Sequence, residues 1–256
     1  DTDRSRGLGD VYKRQGQGIA IELGKAGYDV AVHYNSSKMG AEETVRMIES
    51  FGGRARAFAA DLTKGSEITR FFREAVAFLG GLDLYVNNSG VTKKVFLEDT
   101  TEEQVDFMVS IDFKSALLCV QAAAHYMIAE RSHGSIVIIT SNNAFITRPM
   151  LSLYGPLKAA LVKLGMHAAM ELAKDKIRVN TIAPGWTETP RVLQCDVEAL
   201  KREIPLKRMA TPSEIGRIVL FYASDAAASI TGNCIIVDGG ATVSYTHLTL
   251  PTNSRV

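Results

Sequence analysis

The sequence predicts an α/β fold, a single doubly wound parallel sheet flanked by helices, and three observations predict it. From residue 16 onward, short runs rich in β-branched residues alternate with segments of helical period, the pattern of repeated βα units. The chain has 256 residues, 46% of them hydrophobic and 22% charged, enough to bury the core of one large domain. No low-complexity linker or internal repeat interrupts the alternation, so residues 16–242 are read as one domain.

The elements follow in order. A helical pattern at 16–26 leads to the apolar run "YDVAVHY" (28–34), and one at 39–51 leads to "RARAFAA" (54–60). The pattern at 66–79 precedes "LDLYVNN" (82–88), and the long one at 102–130 precedes "GSIVIIT" (134–140). Helical segments at 154–174 and 212–224 then lead to "IRVNTIA" (177–183) and "NCIIVDG" (233–239). Six strands are predicted, and ligands of such a sheet bind beyond the carboxyl ends of its strands. A strand is also expected ahead of the first helix, where none is visible.

What stands there reads as foreign. Asp10 to Gln15 can be encoded by GAT GTG TAT AAG AGA CAG, and the reverse complement, read from its third base, gives Val-Ser-Tyr-Thr-His, which are residues 243–247. Matching ends from opposite strands of one oligonucleotide are what a transposase adapter leaves at both ends of a DNA fragment. Residues 1–15 and 243–256 are therefore read as adapter-derived tails, excluded from fold reasoning, and the first strand as replaced by foreign sequence.

Composition narrows the function. The net charge is +1 with no basic or acidic block, which argues against a nucleic-acid track or a membrane-surface patch and favours small-molecule chemistry. No apolar run approaches the roughly 18 residues of a membrane span, and the N-terminus has no signal-peptide core. Cys119, Cys195 and Cys234 are odd in number and far apart; they read as reduced thiols, and a cytoplasmic location is expected. The five histidines show no metal spacing, and no metal site is expected.

Three residues carry candidate chemistry. Tyr154 and Lys158 form Y-x-x-x-K, a spacing that sets both side chains on one helix face. An ammonium beside a phenol favours the phenolate, as a general acid/base near neutral pH requires, although such pairs also arise by chance. Pro156 between them is tolerated if the helix starts at Tyr154, because a first-turn residue needs no intrahelical N–H bond. Ser141 ends "GSIVIITS" at the carboxyl edge of the sheet, where a turn or N-cap serine is the plainer alternative.

Ser141, Tyr154 thirteen residues on and Lys158 four further lie between "VNNSG" (86–90) and "IRVNTIAPGWTETP" (177–190). In this order the motifs resemble the short-chain dehydrogenase/reductase family over residues 16–242, 3-oxoacyl-[acyl-carrier-protein] reductases and glucose 1-dehydrogenases in particular. The resemblance implies a Rossmann-like fold and hydride transfer between a nicotinamide cofactor and a carbonyl or secondary alcohol. Ser141 would hydrogen-bond the carbonyl, Tyr154 would pass the proton, and Lys158 would support Tyr154 and bond the nicotinamide ribose. Asp61 and Leu62 of "AADLT" would face the adenine, and Asn88, Ser89 and Gly90 would close the cofactor site. Pro184, Gly185, Thr187 and Thr189 of "PGWTET" would hold the nicotinamide carboxamide. Gly16 is the one glycine of the opening stretch aligned with the phosphate loop. Gly7 and Gly9 imitate that loop too far from the strand, and Gly18 falls inside the helix. With the loop mostly lost, weak or absent NADP(H) binding by this chain is expected.

Two features go beyond the pattern. Asp112 stands where the family commonly has an asparagine that links the lysine to a relay water; a one-residue misalignment would make it a surface aspartate instead. After the strand at 28–34 come Asn35, Ser36 and Ser37, with no carboxylate until Glu42. An acidic residue there would bond the ribose 2′-OH of NAD, so NADP(H) is favoured and NAD(H) remains open. "VHYNSS" is also similar to NADPH-dependent pteridine reductases. A homo-oligomer, tetramer or dimer, is implied, and a non-catalytic nucleotide-binding relative is the alternative function. The loops at 91–100, 142–153 and 190–208 set the substrate, with acyl thioesters, sugars, steroids and pteridines all open.

Overall fold

The computed structural model describes residues 13–190 and 192–243; the tail assignments for 1–12 and 244–256 lie outside them. The first half runs α1 (Lys13–Lys25), β1 (Val30–Tyr34), α2 (Lys38–Ser50), β2 (Ala55–Ala59), α3 (Gly65–Leu79) and β3 (Leu84–Asn87). Next come α4 (Glu102–Met108), a π-helical segment (Val109–Lys114) and α5 (Ser115–Glu130). The rest is β4 (Ser135–Ile139), α6 (Tyr154–Leu172), β5 (Arg178–Pro184), α7 (Val197–Glu203), α8 (Pro212–Ala223) and β6 (Cys234–Val237), joined by loops and short 3-10 turns. Each predicted strand forms at its expected place, with ends that differ from the predicted ones by at most two residues.

Every strand pair is parallel, as βα alternation requires. Alternate residues of β4 serve opposite faces. Ile136 and Ile138 pack with α3, α5 and α6, whereas Val137 and Ile139 pack with α1, α2 and α8. All five β4 residues are buried, the mark of a strand covered on both sides.

The expected single sheet is not continuous. Its order is β1-β2 in one piece and β3-β4-β5-β6 in the other. Both pieces contribute to the same two apolar clusters, so they share one pair of helix layers. They stand apart because no described residue pairs with the facing edges of β1 and β3.

Helix α1 begins at Lys13, three residues earlier than predicted. Lys, Arg and Gln are good helix formers, and they extend the helix back past Gly16. That glycine therefore lies inside α1 and not in a loop. Gly18 has a packing reason: a Cβ there would lie 2.8 Å from the Pro212 carbonyl carbon and closer still to its side chain. We expect Gly18→Ala to lower stability by about 1–3 kcal/mol through overpacking of α1 on α8, more than the helix-propensity gain of up to about 1 kcal/mol. Thermal melting checks this, and an unchanged or higher Tm would refute it.

The predicted helix 102–130 is continuous but carries the π-helical segment at Val109–Lys114. Its most apolar window has a mean hydropathy of 1.4. By length and composition it therefore passes for a membrane span, contrary to the sequence reading. Here the stretch packs on α3 and β3. His33 is a core histidine: its Nε2 meets the Ala60 carbonyl at 2.9 Å, its ring packs edge-on against Phe71, and burial lowers its pKa. No disulfide joins the three cysteines.

Candidate active site

The parallel arrangement brings the ends of β4 and β5 and the start of α6 to one edge of the sheet. Ser141 follows β4 and N-caps the 3-10 turn Asn142–Ala144. The expected end-of-strand position and the plainer N-cap reading are both correct. Its Oγ accepts from the backbone N–H and from Nδ2 of Asn143, each at 3.2 Å. With its lone pairs so engaged, the hydroxyl is oriented as a donor.

Tyr154 begins α6, and Pro156 falls in its first turn, where a missing N–H costs no helix bond. The turn after Ser141 lies against this helix start, since a Cβ on Gly155 would come within 3.2 Å of the Asn143 carbonyl. Lys158, one turn on, sets its Nζ 5.4 Å from the centre of the Tyr154 ring. Thr140 donates to the Lys158 carbonyl at 2.5 Å, tying α6 to the end of β4.

Asp112 is fully buried and pairs with Lys158 at 3.0 Å, so it is not a surface aspartate. The π-helical segment turns it inward, and Oδ1 also accepts from the Val91 N–H at 3.1 Å. Burial raises the Asp112 pKa above its ordinary value against the pull of Lys158 and Val91. Burial also works against the Lys158 ammonium, but Asp112 and Tyr154 outweigh it and hold the Lys158 pKa above its ordinary value. Gly90 makes room for the pair: a Cβ there would sit 2.5 Å from Asp112 Oδ1 and 2.8 Å from Lys158 Nζ.

A cavity of about 1600 Å³ gathers most of the predicted cofactor residues: Gly16, Asn35, Ser36, Ser37, Asp61, Leu62, Asn88, Ser89 and Gly90. Ser141, Tyr154 and Lys158 do not line it; Gly90, in its wall, lies against Lys158. The Asp61 carboxylate turns back onto Thr63, whose N–H and hydroxyl it accepts at 3.1 and 2.6 Å. Asn88 accepts from Gln15 at 2.9 Å. No acidic side chain follows β1 before Glu42, which faces Lys38 at 3.6 Å on the surface.

Pro184 ends β5, and Gly185, Thr187 and Thr189 follow it as a separate group. Gly185 packs against Asp238 and Asn142, leaving no space for a Cβ. The buried Thr189 Oγ and Asn143 Oδ1 have no partner among the described residues, which leaves one donor-acceptor and one acceptor for a bound group. These orphaned atoms and the neutral polar end of β1 fit a dinucleotide at its nicotinamide and ribose ends, whereas the missing side chains of Gly90 and Gly185 make room for Asp112, Lys158 and Asp238. Gly16, enclosed in α1, does not present the expected phosphate loop.

The profile of the family described as Enoyl-(Acyl carrier protein) reductase matches residues 15–242. The 3-oxoacyl-[acyl-carrier-protein] reductase FabG of Staphylococcus epidermidis is 36% identical over 242 residues, covering 93% of this chain and 96% of the relative. The chain belongs to the short-chain dehydrogenase/reductase family. Solved structures agree. A putative short-chain alcohol dehydrogenase from Sinorhizobium meliloti has a TM-score of 0.83 at 36% identity, over 89% of this chain and 91% of that one. Acetoin dehydrogenase from Enterobacter cloacae has a TM-score of 0.85 at 32% identity, over 92% and 94%. As a short-chain dehydrogenase/reductase, the chain is an oxidoreductase acting on carbonyl or CH–OH groups with a nicotinamide nucleotide.

The sequence reading missed several neighbours of this site. Asn143 orients Ser141, and its place two residues after a strand-ending serine was the available signal. Asp238 accepts from Asn142 Nδ2 at 3.2 Å and from the Gly240 and Thr242 N–H groups. Arg148 pairs with Glu203 at 3.1 Å and lies over the Trp186 ring, joining the loop after Ser141 to α7. That contact spans 55 residues and left no local signal.

Proposed function

We propose that the chain is an NADP(H)-dependent reductase of carbonyl compounds, with 3-oxoacyl thioesters the first class to test. The observation that carries the reading is the buried Asp112–Lys158 pair set against Tyr154, with the Ser141 hydroxyl held on the adjoining turn. The similarity to FabG supports the substrate class, and the uncharged Asn35-Ser36-Ser37 segment supports the 2′-phosphate. A glucose-dehydrogenase-like activity belongs in the same panel.

Asn35, Ser36 and Ser37 would receive the adenosine ribose, Asp61 and Leu62 would flank the adenine, and Asn88 to Gly90 would line the nicotinamide side. Pro184, Gly185, Thr187 and Thr189 would hold the carboxamide. When bound, the nucleotide supplies or accepts the hydride. Ser141 donates a hydrogen bond from its hydroxyl to the substrate oxygen and fixes its position. Tyr154 transfers the proton at that oxygen, and the Lys158 charge stabilises the negative charge left on the phenol. Asp112 holds Lys158 in place and moderates its field. The protein is read as cytoplasmic and homo-oligomeric, as a dimer or tetramer.

The test is turnover of 3-oxoacyl thioesters, hydroxyketones and aldoses with NADPH and NADH at saturating nucleotide. Reduction of a 3-oxoacyl thioester with NADPH preferred supports the proposal, and no turnover of any carbonyl compound refutes it. A carboxylate placed after β1 would face the 2′-phosphate, and like charges in contact cost several kcal/mol. Asn35→Asp should therefore lower the NADPH-to-NADH ratio of kcat/KM by more than about tenfold. An unchanged ratio would show that this segment does not read the ribose.

A further inference from the structure

The turn after Ser141 contains an oxygen left unsatisfied beside a donor. Asn143 Oδ1 is buried without a partner among the described residues, yet Nδ2 of the same amide lies 3.2 Å from Ser141 Oγ. Turning that amide over would let Oδ1 accept from the Ser141 hydroxyl. A buried polar atom that stays unpaired next to such a group needs a cause.

The cause lies two links away, at the end of β6. Asn143 Nδ2 also faces Asn142 Oδ1 at 3.4 Å, and an inverted amide would set two acceptor oxygens against each other. Asn142 cannot invert in its turn, because its Nδ2 donates to Asp238 Oδ2 at 3.2 Å and an ionised carboxylate only accepts. Burial works to raise the Asp238 pKa, but hydrogen bonds from Thr242, Asn142 and Gly240 outweigh it and hold the pKa below its ordinary value. Its position is fixed as well. The backbone N–H groups of Gly240 and Thr242 donate to it, and a Cβ on Gly185 would lie 2.5 Å from its Cβ. Asn142 and Asp238 are both buried.

We propose that Asp238 is a remote positioning residue for the reaction: acting through Asn142 and Asn143, it sets the direction of the Ser141 hydroxyl. Each link has one permitted polarity. The carboxylate turns Nδ2 of Asn142 toward itself, and Asn142 Oδ1 then turns Nδ2 of Asn143 toward Asn142 and Ser141. That Nδ2 and the Asn143 backbone N–H occupy the Ser141 lone pairs, so the hydroxyl proton is left to point at the substrate oxygen. The unpaired Asn143 Oδ1 is the consequence of this imposed polarity. The inference rests on the proposed role of Ser141.

The test has a ligand-free arm and a kinetic arm. In the ligand-free protein, the Asn143 side-chain amide protons are followed by nitrogen-15 NMR and hydrogen exchange, with Ser141→Ala and Asn142→Leu to identify them. Asp238→Asn carries an amide that can donate to Asn142 and let it invert. It should shift the Asn143 pair and speed its exchange, although it touches neither of that pair's acceptors. Thr242→Val removes a hydrogen bond from the same carboxylate but leaves its charge, and should leave the pair in place.

In the kinetic arm, Asn143→Asp sets a carboxyl against Ser141. Protonated, it can still donate to Ser141 Oγ; ionised, it takes the Ser141 proton for itself. The ratio of its kcat to that of the wild type should fall by about 10²-fold as pH rises through the pKa of the new carboxyl, whereas a merely structural defect would lower kcat equally at every pH. An Asn143 pair unmoved by Asp238→Asn, or a kcat ratio that does not change with pH, overturns the proposal. An amide pair that responds as expected in a chain that turns over no carbonyl compound supports the chain of hydrogen bonds and refutes the proposed function instead.

Discussion

Tyr154→Phe is expected to reduce kcat by about 10²–10⁴-fold, the contribution of a positioned proton donor, with little change in nucleotide affinity. The substitution keeps the ring, which is 5% exposed and packed with Met108 and Leu151, and removes only the hydroxyl. Fold and site should survive, so the loss reports the proton step. Steady-state kinetics at saturating nucleotide, with melting as a control, measure it. A variant with intact Tm that keeps more than about a tenth of the activity would remove Tyr154 from the reaction.

The second large effect is expected at Asp112. Removing one member of a buried ion pair strands the other charge, at a cost of about 3–5 kcal/mol. Asp112→Ala should therefore lower Tm by roughly 10 °C in a domain of this size, since Lys158 is 2% exposed and its ammonium pairs with the buried Asp112 at 3.0 Å. Asp112→Asn separates structure from chemistry, because the amide oxygen can still accept from Val91 and Lys158. It should cost far less stability, while the Lys158 charge acts on Tyr154 without an opposing carboxylate. The raised Asp112 carboxyl no longer titrates in this variant, so the pH–rate profile should change on its acid side. An Asp112→Asn enzyme with an unshifted profile would leave Asp112 as a structural partner only.

Much of this was legible in the chain. The strands could be read because parallel strands covered on both faces are written as unbroken apolar runs, as "GSIVIIT" shows for β4. Ser141, Tyr154 and Lys158 could be found because a strand end and one helix turn fix their relative places locally. Asp112 was located by its offset from "VNNSG", but its burial was not legible: whether that side chain points in or out depends on the π-helical segment at Val109–Lys114, which has no composition signature. Asn143, Asp238 and the Arg148–Glu203 pair escaped because their roles arise only when distant loops meet.

The sequence by itself pointed to the family, the parallel order of βα units and Ser141, Tyr154 and Lys158 as candidate reacting residues, since each rests on local pattern or on short, ordered spacing. Only the tertiary structure decided three further matters. It showed that α1 runs back through Gly16, because helix propensity continues wherever nothing stops it. It showed that Asp112 and Lys158 form one buried pair beneath the bare Gly90. It also showed the sheet divided at β1 and β3 among the described residues, because hydrogen bonding between strands is a long-range pairing that is recognised only once the neighbours are in place.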